Sequence, residues 1–365
     1  MKHQNYFSGV LMAGGIGLLT LGVPAQSAPA AEPYKVLSIT QTNGTGGIDY
    51  VTADSEGRRI YVPRGNQTLV FDLDTYKCVG AIPNTGLHGV AVDPKTHHGF
   101  CSTSPVSMFD TTTMEFIKKI TVEGSPDGIL FEPATERVYV LGRRAPNVTV
   151  IDPKDGSIAG TIDLGGSPEQ AASDLKGHVY IDLEDKGSIA VVDAKALKVT
   201  ATFPLGDNGG SPSGLGLDAK NHILFAMCRP ATCVILSADD GKILTTLPLG
   251  GGSDGGGFNP NTMEAFSSHG NGTLTIIKEN SPTSFEVEQT VQTKPGAKCC
   301  SLDTKTGHII LTAIEAAPAA AAEGAATPAT PPAGGERAGG DRRSGRGGRG
   351  GRGGPGLLDV IVVGR

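Results

Sequence analysis

The chain has 365 residues and a formal net charge of −6, with 53 glycines, 24 prolines and no tryptophan. The mild acidity argues against a protein that holds nucleic acid through an overall basic surface, and the length and apolar content suffice for one large core. Frequent Gly and Pro suit many short strands joined by tight turns.

Residues 1–30 read as a secretory signal peptide. Lys2 supplies a weak positive start, an apolar run extends from Phe7 to Val23, and small residues follow in Ala25-Gln26-Ser27 and Ala28-Pro29-Ala30. An uncleaved membrane anchor is the alternative reading of the same stretch. The expected location is the periplasm or the outside of the cell. No later segment is long and apolar enough to span a bilayer. An oxidising compartment allows disulfides, and Cys228 and Cys233, flanking an Arg-Pro-Ala-Thr loop, could close a hairpin. Cys78, Cys101, Cys299 and Cys300 have no diagnostic spacing.

Next comes a repeat. An acidic or Asn residue closes a short Gly-rich or apolar segment seven times, at Asp54, Asp93, Glu132, Asp174, Asp218, Asn259 and Asp303, in steps of 39, 39, 42, 44, 41 and 44 residues. Seven residues after most of these anchors stands an aromatic in an apolar run: Tyr61, Phe100, Tyr139, Phe225 and Phe266, with Tyr180 one place early and Ile310 in the last repeat. An apolar strand ending in Asp follows, as in Val70-Phe71-Asp72 and Val150-Ile151-Asp152, and an alternating strand closes the unit, as in Ile158 to Asp163. Four short strands, A to D, recurring every 40 residues or so predict an all-β fold, a seven-bladed β-propeller with four-stranded antiparallel blades, over residues 34–365. One blade cannot cover its own two apolar faces, and a ring of blades covers them all. The last unit has strand A at Cys299–Asp303, strand B at His308–Ile314 and strand C at Leu357–Val363, but no D. The N-terminal Val36–Thr40 has the pattern of the missing strand, so it is expected to complete the last blade and close the ring.

Residues 315–356 interrupt blade seven between its strands B and C. They are rich first in Ala and Pro and then in Gly and Arg (Arg342-Arg343-Ser344-Gly345-Arg346), a composition expected to be disordered. Arg-Gly repeats can bind single-stranded nucleic acid or other polyanions.

The repeat resembles the YVTN-repeat, or YncE-like, β-propellers. The matching residues are Ile60-Tyr61-Val62-Pro63, Val138-Tyr139-Val140-Leu141 and Val179-Tyr180-Ile181-Asp182, with the turns Gly124-Ser125-Pro126 and Gly166-Ser167-Pro168 ahead of strand A. The resemblance implies an exported propeller. Some members resemble lactonases, and others are suspected of binding nucleic acid or cell-envelope partners. Repeats five to seven depart from the pattern by losing the Tyr. The absence of Trp argues against WD40 repeats and quinoprotein dehydrogenases.

Strand A runs nearest the ring axis, so the residue five places before each anchor should stand at the channel mouth. Those residues are Asp49, His88, Asp127, Glu169, Ser213, Asp254 and Lys298. Converging carboxylates repel unless something offsets their charge. A divalent cation such as Ca²⁺ held by Asp49, His88, Asp127, Glu169 and Asp254 would do so, with His88 suited to a transition metal. The same residues could act as acid and base in a hydrolase. The plainer reading is a polar, solvated mouth. The B–C loops on that face carry Arg64, Arg143, Arg144, Lys186, Arg229 and His269, a basic rim able to steer an anion. Three functions remain open on these residues: a binding or scaffold propeller for a small molecule or envelope protein, a metal-dependent lactonase-like hydrolase, and a polyanion binder acting through the Arg-Gly insertion. No nucleophile elbow, phosphate-binding loop or zinc-protease motif is present.

Overall fold

The computed structural model describes Met1 and residues 32–145, 147–316 and 355–365. In it each of the seven anchors caps the turn between strands A and B. The side-chain oxygens of Asp54, Asp93, Asp174, Asp218, Asn259 and Asp303 accept backbone N–H bonds from Gly57, Lys95, Lys176, Lys220, Asn261 and Lys305 at 2.7–3.1 Å. Glu132 accepts two, from Ala134 and Thr135. An acceptor on a short side chain satisfies turn donors that no strand can pair, which explains why this position repeats.

Between these turns lie seven four-stranded antiparallel sheets. Blade one comprises Thr52–Asp54, Arg59–Arg64, Gln67–Asp72 and Cys78–Pro83, and the pattern recurs through blade six, which ends at Gln292. Blade seven has Cys300–Leu302, Ile309–Ala316 and Pro355–Gly364 as strands A to C, and its fourth strand is Lys35–Thr45. The N-terminal strand therefore closes the ring as expected. Its pairing with strand C runs from Lys35↔Gly364 to Thr45↔Pro355 and is longer than the sequence pattern suggests. Residues 1–30, except Met1, and residues 317–354 of the insertion lie outside the described residues. Pro33–Arg365 forms one compact unit. No helix among the described residues is long and apolar enough to cross a membrane.

The repeated aromatics are buried between blades. Tyr139 packs with Val179 and Ile181 of the next blade, and its hydroxyl donates to the Ala194 carbonyl at 2.9 Å. Tyr180 reaches Ala238 of blade five in the same way, at 3.3 Å. The hydroxyl thus ties one blade to the outer turn of its neighbour, while Phe100, Phe225 and Phe266 supply the packing alone. The Tyr61 hydroxyl has no partner. Blades five and six approach most closely at the axis. A Cβ on Gly214 would stand 2.7 Å from the Gly255 carbonyl carbon, so only glycine fits there.

The hairpin disulfide is not present, because strand register forbids it. Cys228 lies opposite Thr232, and Cys233 lies opposite Met227. This one-residue offset sends the two thiols to opposite faces of the sheet: Cys228 into the core with Ala226 and Val234, Cys233 into the core with Met227 and Ile235. All six cysteines are free thiols. Thiol titration of the unfolded, unreduced protein should therefore count six; a count of four would mean that one pair had closed.

Candidate functional site

The mouth residues are set by a break in strand pairing. In blades three to six strand A slips register by one residue against strand B at its start: between Pro126 and Ile129, Pro168 and Ala171, Pro212 and Gly214, and Ser253 and Gly255. The extra residue of a bulge leaves the ladder, and its side chain is re-aimed. Asp127, Glu169, Ser213 and Asp254 occupy these bulges. In blade four Asp182 of strand B fills the gap, its Oδ1 accepting from the backbone N–H groups of Glu169 at 3.2 Å and Gln170 at 2.6 Å.

Six of the seven mouth residues join one closed circuit of charge. His88 Nδ1 stands 2.9 Å from Asp49 and 3.2 Å from Asp127. Asp127 pairs with Arg143. Arg143 also holds Glu169 at 2.9 Å and approaches Glu184 at 3.7 Å. Glu184 pairs with Arg229 at 2.8 Å, Arg229 with Asp254, and Asp254 with Lys298. Lys298 returns to Asp49 at 3.4 Å. Ser213 is buried beneath the circuit and donates to the Ser253 carbonyl. Exposure is layered: the side chains of Arg143, Arg229 and Lys298 are 43%, 36% and 41% exposed, against 2% for Asp127 and 10% for Glu169 and Asp254.

Arg64 and His269 stand outside the circuit. Arg64 is fully buried, and its Nη2 donates to the carbonyls of Gly44 and Gly356 at 3.0 and 2.9 Å. It thereby caps the strand ends of blade seven from which the insertion departs. His269 is fully buried, with Nε2 within 3.2 Å of the Gly250 amide and 2.9 Å of Thr275 Oγ1. Burial pushes it down to about 4, so it is neutral. Both follow their repeat aromatic by three residues, whereas Arg143 and Arg229 follow by four. That one step turns a side chain from the rim into the sheet packing. The four-residue register also reaches Glu184, which sequence reasoning missed by attending only to cations in these loops.

Two side chains bar the channel under the circuit. The Tyr50 hydroxyl crosses from blade one to donate to the Glu169 carbonyl at 3.0 Å. Gln170 spans to blades five and six, donating to the Gly256 carbonyl at 2.9 Å and accepting from the Leu215 and Gly256 amides. Both stand four residues before their turn acceptor, a position filled by Gly89, Gly128, Gly214, Gly255 and Cys299 in the other blades, so their size among small residues was the signal that sequence reasoning passed over.

No family model matches the chain. It is 25% identical over 165 residues to the uncharacterized protein YncE of Salmonella typhi and, equally, of Salmonella typhimurium, covering 42% of this chain and 47% of each relative. The match thus spans about half the length of these curated relatives. The chain is a seven-bladed β-propeller that is similar to YncE over that stretch.

Solved structures superpose on the chain over most of its length, and at these identities the likeness concerns the fold alone. One chain of the mitotic checkpoint complex superposes with a TM-score of 0.68 at 11% identity, covering 83% of this chain and 96% of that one. The RRP9 WD40 repeats give 0.66 at 11% identity, with 92% and 99% covered. A chain of Kuenenia stuttgartiensis hydrazine synthase gives 0.63 at 16% identity, with 73% and 92% covered.

Burial sets the protonation of the mouth. Glu169 is pushed up to about 8, first by burial and then by Asp127, against the pull of Arg143. Burial raises Asp182 to about 7 despite its two backbone bonds. Burial would lower His88, but its bond to Asp49 and the charge of Asp127 outweigh that and raise it. All three groups hold protons in the folded state that the unfolded chain releases. Their contribution is therefore full below the ordinary carboxylate range and is lost as pH rises through about 8. The urea midpoint is expected to be higher at pH 5 than at pH 8.5, and Glu169→Gln should flatten that slope. A midpoint that rises with pH over this range would contradict the assignment.

Proposed function

We propose that this chain is an exported binding propeller that takes an anionic ligand, or an acidic patch of an envelope partner, at the channel mouth. The supporting observation is the layering of the charge circuit. Carboxylates lie deep and hold Arg143, Arg229 and Lys298 in place, and these cations present their exposed tips to solvent. Held guanidinium groups lose little freedom on meeting a carboxylate or phosphate and can engage it with two parallel bonds. Export rests on the signal-peptide pattern of residues 1–30. The propeller fold by itself selects no ligand.

The test is calorimetric titration of residues 31–365 with citrate and inorganic phosphate, in the native chain and in an Arg143→Gln, Arg229→Gln variant. Saturable one-to-one binding, weakened at least about tenfold by the two changes as each charge-assisted bond is lost, supports the reading. Binding of neither anion, or equal binding by the variant, refutes it. A second reading, lactone hydrolysis assisted by a cation at the mouth, is favoured by one observation: donor atoms of Asp49, His88 and Asp127 lie within 4.8 Å of one another. Turnover of a lactone panel that depends on added metal would establish it. Polyanion binding through the Arg-Gly stretch is the remaining alternative. Single-stranded DNA binding lost on deleting residues 334–356 would establish that one.

A further inference from the structure

Within the charge circuit, Asp49, His88 and Asp127 differ from the other members. Each carboxylate divides its oxygens between two tasks. Asp49 turns Oδ1 to Lys298 and Oδ2 to His88. Asp127 turns Oδ2 to Arg143 and Oδ1 toward His88. Nδ1 of His88 carries one proton at most in that direction, and Asp49 accepts it at 2.9 Å. Asp127 Oδ1 is left buried without a hydrogen-bond donor, on a residue only 2% exposed, and aimed at the same nitrogen 3.2 Å away. A buried carboxylate oxygen with no donor is costly unless something electropositive meets it.

We propose that Asp49 Oδ2, His88 Nδ1 and Asp127 Oδ1 form a three-ligand site for one divalent transition-metal ion, Zn²⁺ or Mn²⁺, rather than Ca²⁺. Donors bound at about 2.1 Å to one ion stand about 3.0 Å apart in an octahedral and about 3.4 Å apart in a tetrahedral shell, and the two separations at Nδ1 are 2.9 and 3.2 Å. One imidazole with two carboxylate oxygens suits these ions, whereas Ca²⁺ seeks six to eight oxygens. Lys298 and Arg143, each on the outer oxygen of one ligand, fix the carboxylates in orientation. An anion held by the exposed Arg143 and Lys298 would complete the shell of such an ion. The site deepens the binding reading given above and rests on the same mouth.

Two other places could capture zinc and must be told apart. Asp49, Asp254 and Cys299 also converge, and His178 with Asp174 and His222 with Asp239 line a groove between blades four and five. The test is calorimetry of the full mature chain, stripped with EDTA and free of added anions, against Zn²⁺, Mn²⁺ and Ca²⁺. One equivalent of Zn²⁺ should bind with no displacement by Ca²⁺. Asp127→Asn and His88→Gln should weaken it more than about 100-fold, with far-UV circular dichroism showing that the variants are folded. The His178→Gln, His222→Gln variant should bind as the native chain does. Independently of any variant, the Co²⁺-loaded native chain should show no thiolate charge-transfer absorption. Absence of stoichiometric binding, loss in the His178/His222 variant, or a thiolate band would each overturn the assignment. Anion titration of the EDTA-stripped chain separates this failure from failure of the binding reading.

Discussion

A chain ending at Gly354 is expected to yield no folded monomer. The residues removed, Pro355–Arg365, form the third strand of blade seven and are the only neighbour of the N-terminal strand within its sheet. Leu358, Val360, Ile361, Val362 and Val363 in that strand are all fully buried. Burying each such side chain is worth about 1.5–3 kcal/mol, so their joint loss rivals the whole stability of a typical domain, about 5–15 kcal/mol. Arg365 adds a clasp, donating to Glu264 at 2.7 Å and stacking over the Tyr34 ring. Truncation also bares the edges of Ile309–Ala316 and Lys35–Thr45, which invites aggregation. Size-exclusion chromatography and far-UV circular dichroism of the shortened chain are the measurements, since the protein has no tryptophan to report unfolding. A peptide of residues 355–365 added in trans should rescue part of the fold. A compact monomer with native melting would show that closure contributes little.

Arg143→Ala comes second in expected effect. It strips the counter-charge from Asp127, which is 2% exposed, and a hydrogen-bond donor from Glu169, which is 10% exposed and holds its proton up to about 8. Removing one partner of a buried pair costs about 3–5 kcal/mol. Arg143 is nearly half exposed, and screening reduces that to about 2–3 kcal/mol. The loss should be pH-dependent. Without Arg143 the Asp127 carboxylate holds its proton more tightly, so lowering the pH from 7.5 to 5 favours the folded variant over its unfolded chain and narrows the deficit. Adding Asp127→Asn to the variant should restore part of the loss. Urea unfolding at both pH values checks this. A deficit below about 0.5 kcal/mol, the level of ordinary surface changes, or one that does not change with pH, would show that Arg143 is merely a solvated rim residue.

The ring was legible in the sequence because a propeller repeats its turn chemistry. An acceptor at Asp93 or Asp303 does the same work in each blade, so period and position coincide. The mouth was legible for a related reason: a fixed offset from the turn lands on the bulge, as Asp127 and Asp254 show. Offsets are less forgiving on strand B, where Arg64 and His269 differ from Arg143 and Arg229 by one residue and so by one face. Pairing register decides such cases, and register depends on partner strands rather than on local composition. The same register separates Cys228 from Cys233. Tyr50 and Gln170 escaped notice although they share one repeat position, because what they do depends on partners across the axis that are far apart in sequence. Asp182 escaped notice because the corresponding bulge in blade three faces Leu141, so the polar filler acts once.

The bars formed by Tyr50 and Gln170 bear on traffic. A propeller axis is often pictured as a pipe, but here two side chains from opposite sides reach across it. A molecule that settled at the mouth would meet both of them on the way to the far face. Arrival and departure would then share one gate, and whatever covers that gate would govern both rates together.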